Sequence, residues 1–170
     1  TALANKEKAD LFISIHCDAF TKSSAKGCGS YVRGTTITEK NRRVVEKENA
    51  VILLEDDYEL NYKGFNPNDP SSYIMLSLYQ DAFLDQSLQF AEKVQKEFRT
   101  RVNRVDRGVK QAPYWVISSV TMPSVLIELG FLTNPEEEDF LNSTQGQEYM
   151  ASAIFRAFRA YKQSIEKNAQ

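Results

Sequence analysis

The chain has 170 residues, 42% hydrophobic and 26% charged. That is enough for one domain with a sizeable buried core, and it excludes disordered, collagen-like and coiled-coil chains. Lys and Arg total 21 against 23 Asp and Glu, a net charge of −2; no uniformly basic face is forced, so no nucleic acid is expected as a partner. No apolar run reaches the roughly 18 to 20 residues of a membrane span, and the two cysteines, Cys17 and Cys28, are too few for a disulfide framework or a Cys-based zinc knuckle.

In chain order, Ala2 to Lys8 reads as the last turns of a helix. With no Met at position 1, the native chain is expected to start further upstream. Leu11 to His16 is a short apolar run rich in branched and aromatic residues, as a buried central strand requires. Residues 20–27 have loop composition, and Cys28 to Arg33 alternates as a second strand, ending at Gly34. From Thr38 to Leu54, charged residues interleave with Val44, Val45, Val51 and Ile52, which share one face of an amphipathic helix. Tyr62 to Ser72, with Gly64, Pro67 and Pro70, reads as a turn or loop, after which Ser71 or Ser72 can cap a helix. The spacing of Leu84, Leu88, Ala91, Val94, Gln95 and Phe98 predicts a long helix from about Ser77 to Arg101.

Beyond Gly108, Tyr114 to Ile117 and Ser124 to Leu129 read as strands, the second closed by Gly130. Asn134-Pro135, followed by Glu136, Glu137 and Glu138, is a helix start, with Pro pre-set for the first turn and acids near the positive end of the dipole. In the last helix Met150, Ile154 and Phe158, with Ala153, Ala157 and Tyr161, form one wide apolar face. Strands alternating with helices, two of them apolar on both faces, predict an α/β fold: a mixed, largely parallel central sheet flanked by helices.

Ligands bind beyond the carboxyl ends of strands in such sheets, which selects His16 and Glu128. A lone histidine ending a strand is either a packed core residue or a metal or catalytic group. A carboxylate within Leu126-Ile127-Glu128-Leu129 needs a basic partner, a proton or a metal to offset lost hydration. Cys17 adjoins His16 and points to the opposite face of a strand, which disfavours a Cys-His dyad, and the chain has no Gly-x-Ser-x-Gly elbow. A catalytic zinc usually takes three protein ligands, which one histidine and one uncertain carboxylate do not complete. A two-carboxylate glycosidase using Glu128 and Asp18 is a weak alternative, because nothing fixes the separation it needs.

Three ordered segments then carry a resemblance: Ala4-Asn5 through Ala9-Asp10-Leu11-Phe12-Ile13-Ser14-Ile15-His16, Arg107-Gly108-Val109-Lys110-Gln111-Ala112-Pro113, and Met122-Pro123-Ser124 through Glu128-Leu129-Gly130-Phe131-Leu132-Thr133-Asn134-Pro135. Together they resemble the zinc-dependent N-acetylmuramoyl-L-alanine amidases, the amidase-3 family of cell-wall hydrolases. The resemblance implies that His16 is a zinc ligand and Glu128 the catalytic glutamate, with the remaining zinc ligands upstream of residue 1. Residues 1–170 would then be the carboxyl-terminal portion of one catalytic domain, with 34–87 a variable insertion. Cys17-Asp18 departs from the Ala-Asn that commonly follows the histidine.

The implied reaction is hydrolysis of the amide between N-acetylmuramic acid and L-alanine in peptidoglycan, in the periplasm or outside the cell, in wall turnover and division. Bound zinc would polarise the carbonyl and activate water, and Glu128 would carry the proton from that water to the departing nitrogen. The alternative on the same fold is a non-catalytic module that binds cell wall or a partner. With one imidazole, the chain alone is expected to bind zinc weakly and not to hydrolyse peptidoglycan.

Glu48 lies three or four positions from Val44, Val45, Val51 and Ile52, a carboxylate in the middle of an apolar face. An edge salt bridge would explain it. Some members of the family carry an inserted helix here whose glutamate binds zinc and blocks the cleft, and Glu46-Lys47-Glu48-Asn49 resembles that insertion. The resemblance thus implies autoinhibition through Glu48, with Glu55 as the second choice, relieved when an activator protein displaces helix 38–54.

Overall fold

The computed structural model describes residues 1–34, 45–46, 48–50 and 70–168, with side chains outside the description for 70–81 and 168. The chain is α/β. Helix α1 (Ala2–Lys6) leads into β1 (Phe12–Asp18) and β2 (Cys28–Arg33), and helix α2 (Pro70–Arg101) into β3 (Asp106–Ala112). A 3-10 turn (Trp115–Ile117), β4 (Ser124–Phe131), α3 (Pro135–Asn142) and α4 (Thr144–Asn168) follow. No described helix is long and apolar enough to cross a membrane.

The strands hydrogen-bond in the order β1-β4-β2-β3. Phe12 N donates to Pro123 O and Leu132 N to Asp18 O, both at 2.9 Å, so β1 and β4 run parallel. Cys28 N donates to Val105 O and Gly34 N to Ala112 O, which makes β2 and β3 parallel as well. Cys28 at the start of β2 reaches Leu129 O near the end of β4, so that pair is antiparallel and the sheet is mixed.

Contacts gather into two compact units. The first takes Thr1–Ser14, Val32–Ser87 and Gln111–Leu126 and buries Val32, Val45, Tyr114, Ile117, Val125 and Leu126. The Asn5 amide fixes α1, donating to Ser119 O at 2.8 Å and accepting from Thr121 N at 2.9 Å. Ser124 N donates to Ser87 Oγ, while Ser124 Oγ donates to Ile117 O. The second unit takes Ile15–Tyr31, Leu88–Lys110 and Ile127–Gln170. Here α2 buries Phe90, Ala91, Val94 and Phe98, and α4 buries Met150, Ala153, Ala157 and Tyr161, the three-and-four spacing of an apolar stripe. Phe90 and Tyr161 meet edge to face with ring centroids 5.5 Å apart.

Several sequence expectations are corrected. β1 is not central: among the described residues it is the end strand, and Ile15 is 56% exposed. Apolar composition reports the ability to be buried on two faces, not that neighbours are present on both. Tyr114 to Ile117 is no strand but contains the 3-10 turn, while the strand lies just before it at Asp106–Ala112. That strand was hidden because it sits at the sheet's other edge, is mostly polar, and contains Gly108 at φ +77, a conformation that bulges a strand and that glycine adopts without strain. Gly130 does not end β4, which continues to Phe131; its missing Cβ would meet Glu137 Oε2 at 2.6 Å. α2 runs from Pro70, so Ser71 and Ser72 lie inside it rather than capping it. On α4, Phe158 is 37% exposed; the alanines, not the phenylalanine, set the buried stripe.

Of the amphipathic helix expected over 38–54, residues 45–46 and 48–50 are described and helical, and Val45 is buried. Val44, Val51, Ile52, Glu55 and the loop over 62–69 lie outside the described residues.

Candidate active site

The end of β1 carries His16, half-buried, then Cys17 and Asp18. Its neighbour β4 carries Glu128, 3% exposed, inside the apolar sequence that makes the strand. Both residues belong to the second unit. The imidazole and the carboxylate offer ligand atoms within 4.8 Å of each other, inside the roughly 10 Å that one zinc and its water can span. Parallel pairing of β1 and β4 brings this about, because it sets two strand ends from opposite ends of the sequence side by side.

Cys17 adjoins this pair. Burial, and then the negative charge of Glu128, push its thiol above the ordinary value, so the neutral form is favoured and Cys17 is no thiolate nucleophile near neutral pH. Asp18 is buried and its Oδ1 accepts from Ala19 N at 2.7 Å, which turns the chain out of the strand. That is a structural use of Asp18.

Glu48 belongs to the first unit, half-buried on the helical residues 48–50. Its neighbour Asn49 pins them: Asn49 Nδ2 donates to Pro113 O at 3.1 Å, and Asn49 Oδ1 accepts from Trp115 N at 2.9 Å. Asn49 went unnoticed in the sequence, where no periodicity marks an amide that bonds a distant backbone.

A second buried carboxylate was also missed in this role. Glu137, read as an acid favouring a helix start, is 5% exposed. Its Oε2 accepts from Gly27 N at 3.0 Å and Phe131 N at 3.1 Å, while Oε1 is paired with Arg104 Nη2 at 2.5 Å. One carboxylate thereby ties the loop before β2, the end of β4 and the corner before β3. Asn134 caps α3 as expected, accepting from Glu136 N and Glu137 N, and its Nδ2 also donates to Ala25 O.

An imidazole nitrogen and a buried carboxylate at this separation are donors of the kinds zinc takes, nitrogen and oxygen at about 2 Å. The same pair can hold and pass a proton.

The family model of N-acetylmuramoyl-L-alanine amidases matches residues 1–160, and the chain belongs to that family. It is 30% identical over 162 residues to the amidase AmiA of Salmonella typhimurium, covering 94% of this chain and 54% of that protein. It therefore spans about half the length of the curated relative. Among solved structures, the N-acetylmuramoyl-L-alanine amidase of Clostridium difficile 630 matches with a TM-score of 0.64 at 24% identity, covering 95% of this chain and 62% of that one. The CwlD amidase of Clostridioides difficile, solved in complex with the GerS lipoprotein, matches at 0.63 and 21%, covering 95% of this chain and 59% of that one. At these identities the structures show a shared fold.

Proposed function

We propose that this chain carries the proton-transfer half of a peptidoglycan amidase site, acting in the cell envelope, periplasmic or secreted, on the amide between N-acetylmuramic acid and L-alanine. The observation that carries the reading is the approach of His16 and Glu128 to within 4.8 Å in a chain of the amidase family. Zinc is the metal the donor chemistry suits, and His16 is the residue described here that would hold it, with Glu128 beside it. When bound, zinc supplies Lewis-acid polarisation of the amide carbonyl and a lowered pKa for water.

The remaining work belongs to the chain. Glu128, desolvated within β4, accepts the proton of the attacking water and returns it to the amine nitrogen as the C–N bond breaks. His16 fixes the position at which that water is activated. Glu48 would be the autoinhibitory residue of the segment 38–54, its effect relieved when an activator protein binds that segment. The activator would be a protein, and the CwlD relative in complex with GerS is a precedent for an amidase with a protein partner.

The test is hydrolysis of purified peptidoglycan by the full-length protein, read as new amino groups on L-alanine. Glu128→Gln should lower kcat by about a hundredfold or more, and Glu48→Ala should raise activity measured without a partner. Wall binding with no amine release by the wild type would instead favour the non-catalytic module, and unchanged basal activity in a folded Glu48→Ala protein would remove autoinhibition through this residue.

A further inference from the structure

Two cations of β3 stand apart from the chemistry above. The guanidinium carbon of Arg107 lies 4.8 Å from the ring centroid of Phe131, and Lys110 Nζ lies 5.3 Å from that of Tyr31. The two share one face of the sheet: a Cβ on Gly29 would meet Tyr31 Cε2 at 3.6 Å and Arg107 Cβ at 3.8 Å, so Gly29 leaves room between them. The bulge at Gly108 lets residues 107 and 110 reach the same side despite their odd spacing. Arg107 Nη1 donates to Lys26 O at 3.2 Å. Among the described residues, neither cation stands within ion-pair distance of a carboxylate.

This arrangement is costly as it stands. Lys110 is half-buried, and burial followed by the like charge of Arg107 weakens its hold on its proton, with Asp18 acting in the opposite direction. Contacts with ring faces offset part of that cost, on the order of 1 kcal/mol each. A bound anion would offset the rest, since a guanidinium and an ammonium on one face of the sheet suit a carboxylate.

We infer that Arg107 and Lys110 form a subsite for a carboxylate on the peptide portion of the substrate, the aromatic rings of Phe131 and Tyr31 serving to hold the two cations in place. The identity of the substrate rests on the amidase reading; the anion site itself does not. An amidase acting beside L-alanine must distinguish an acidic peptide from a bare sugar chain, and a cation pair fixed on a strand provides that at little entropic cost.

The experiment is a titration of the protein with the dipeptide L-Ala-D-Glu and with its diamide, followed through the backbone amide resonances of Gly108 to Lys110. The dipeptide should shift them saturably and bind at least fivefold more tightly than the diamide. Lys110→Met and Arg107→Gln should each weaken dipeptide binding at least fivefold with an unchanged melting temperature, and Lys110→Arg should retain it. In peptidoglycan hydrolysis Lys110→Met should raise KM and leave kcat within twofold. Equal titration by dipeptide and diamide, or indifference to both substitutions, overturns the subsite. Shifts by inorganic phosphate as strong as those by the dipeptide overturn the carboxylate assignment. Selective dipeptide binding by a protein that never hydrolyses peptidoglycan would sustain the subsite and defeat the amidase reading.

Discussion

Glu128 and Glu137 are both carboxylates with almost no exposed surface, they lie in the same compact unit, and the same strand-turn-helix segment carries them. Their surroundings differ in kind. Glu137 is held by two backbone N–H groups and a guanidinium, groups that stay charged or polar at any pH the fold survives. Beside Glu128 are an imidazole within 4.8 Å and a thiol whose proton its charge helps to retain. Burial of an acid therefore does not mark function by itself. The partners of Glu137 make it a clamp; the role proposed for Glu128 is chemical.

The largest expected effect sharpens this contrast. Glu137→Ala strands the Arg104 guanidinium and leaves Gly27 N and Phe131 N without their acceptor, so it should lower unfolding free energy by about 3–5 kcal/mol, the range for breaking a buried pair. With the role proposed for Glu128, Glu128→Gln should change it by less than about 1 kcal/mol, because a site shaped for reactivity is not the stability optimum of its scaffold. Urea denaturation of the two variants under identical conditions measures both, and similar losses would erase the distinction.

Next in size is an alkaline effect. Burial drives the Cys28 thiol up to about 11 from an ordinary value of 9.0, against a smaller opposing influence of Arg104. The folded state therefore holds this proton more tightly than the unfolded state. The associated stability is fully present below pH 9 and is lost as pH rises towards 11, about 2–3 kcal/mol in all. Cys28→Ala should flatten the stability profile over that window, whatever its stability at neutral pH. An unaltered slope would show that the thiol does not titrate there.

The smallest effect concerns the cap beside the clamp. Asn134→Ala should cost about 1 kcal/mol, and Asn134→Asp, which keeps the accepting oxygen but not the amide donated to Ala25 O, should recover only part of it. Thermal unfolding resolves the difference.

How far the sequence disclosed this molecule follows the range of each interaction. Local rules sufficed for Cys28–Arg33 and for the Asn134-Pro135 helix start, because alternation, capping and proline act over a few residues. His16 and Glu128 were legible because chemically unusual residues stood within apolar strands. Asp106–Ala112 was not, since an edge strand need not be apolar and its glycine looked like punctuation. Nor was the clamp: Glu137 has the right residue type for a helix N-terminus, and only the fold reveals that it also accepts from Gly27 N across 110 positions. Arg107 and Lys110 were read within a family-like segment, but their shared face depends on the bulge between them.

The parallel pairing of β1 with β4 has a kinetic consequence. Phe12 is bonded to Pro123 and Asp18 to Leu132, so nearly the whole intervening chain must be looped before either contact can form. Closing such a loop costs entropy that local structure does not repay in advance. Helices α3 and α4, built from neighbours in sequence, can form early. The approach of His16 to Glu128 should therefore come among the last events of folding, and a one-residue slip of β1 against β4 would turn the imidazole to the other side of the sheet. The Asn5 amide, bonded on both sides to Ser119 and Thr121 just ahead of β4, stands where it can reject such a slip before the strands zip. Refolding followed by a probe near His16 should lag behind recovery of helical signal, and Asn5→Ala should lengthen that lag.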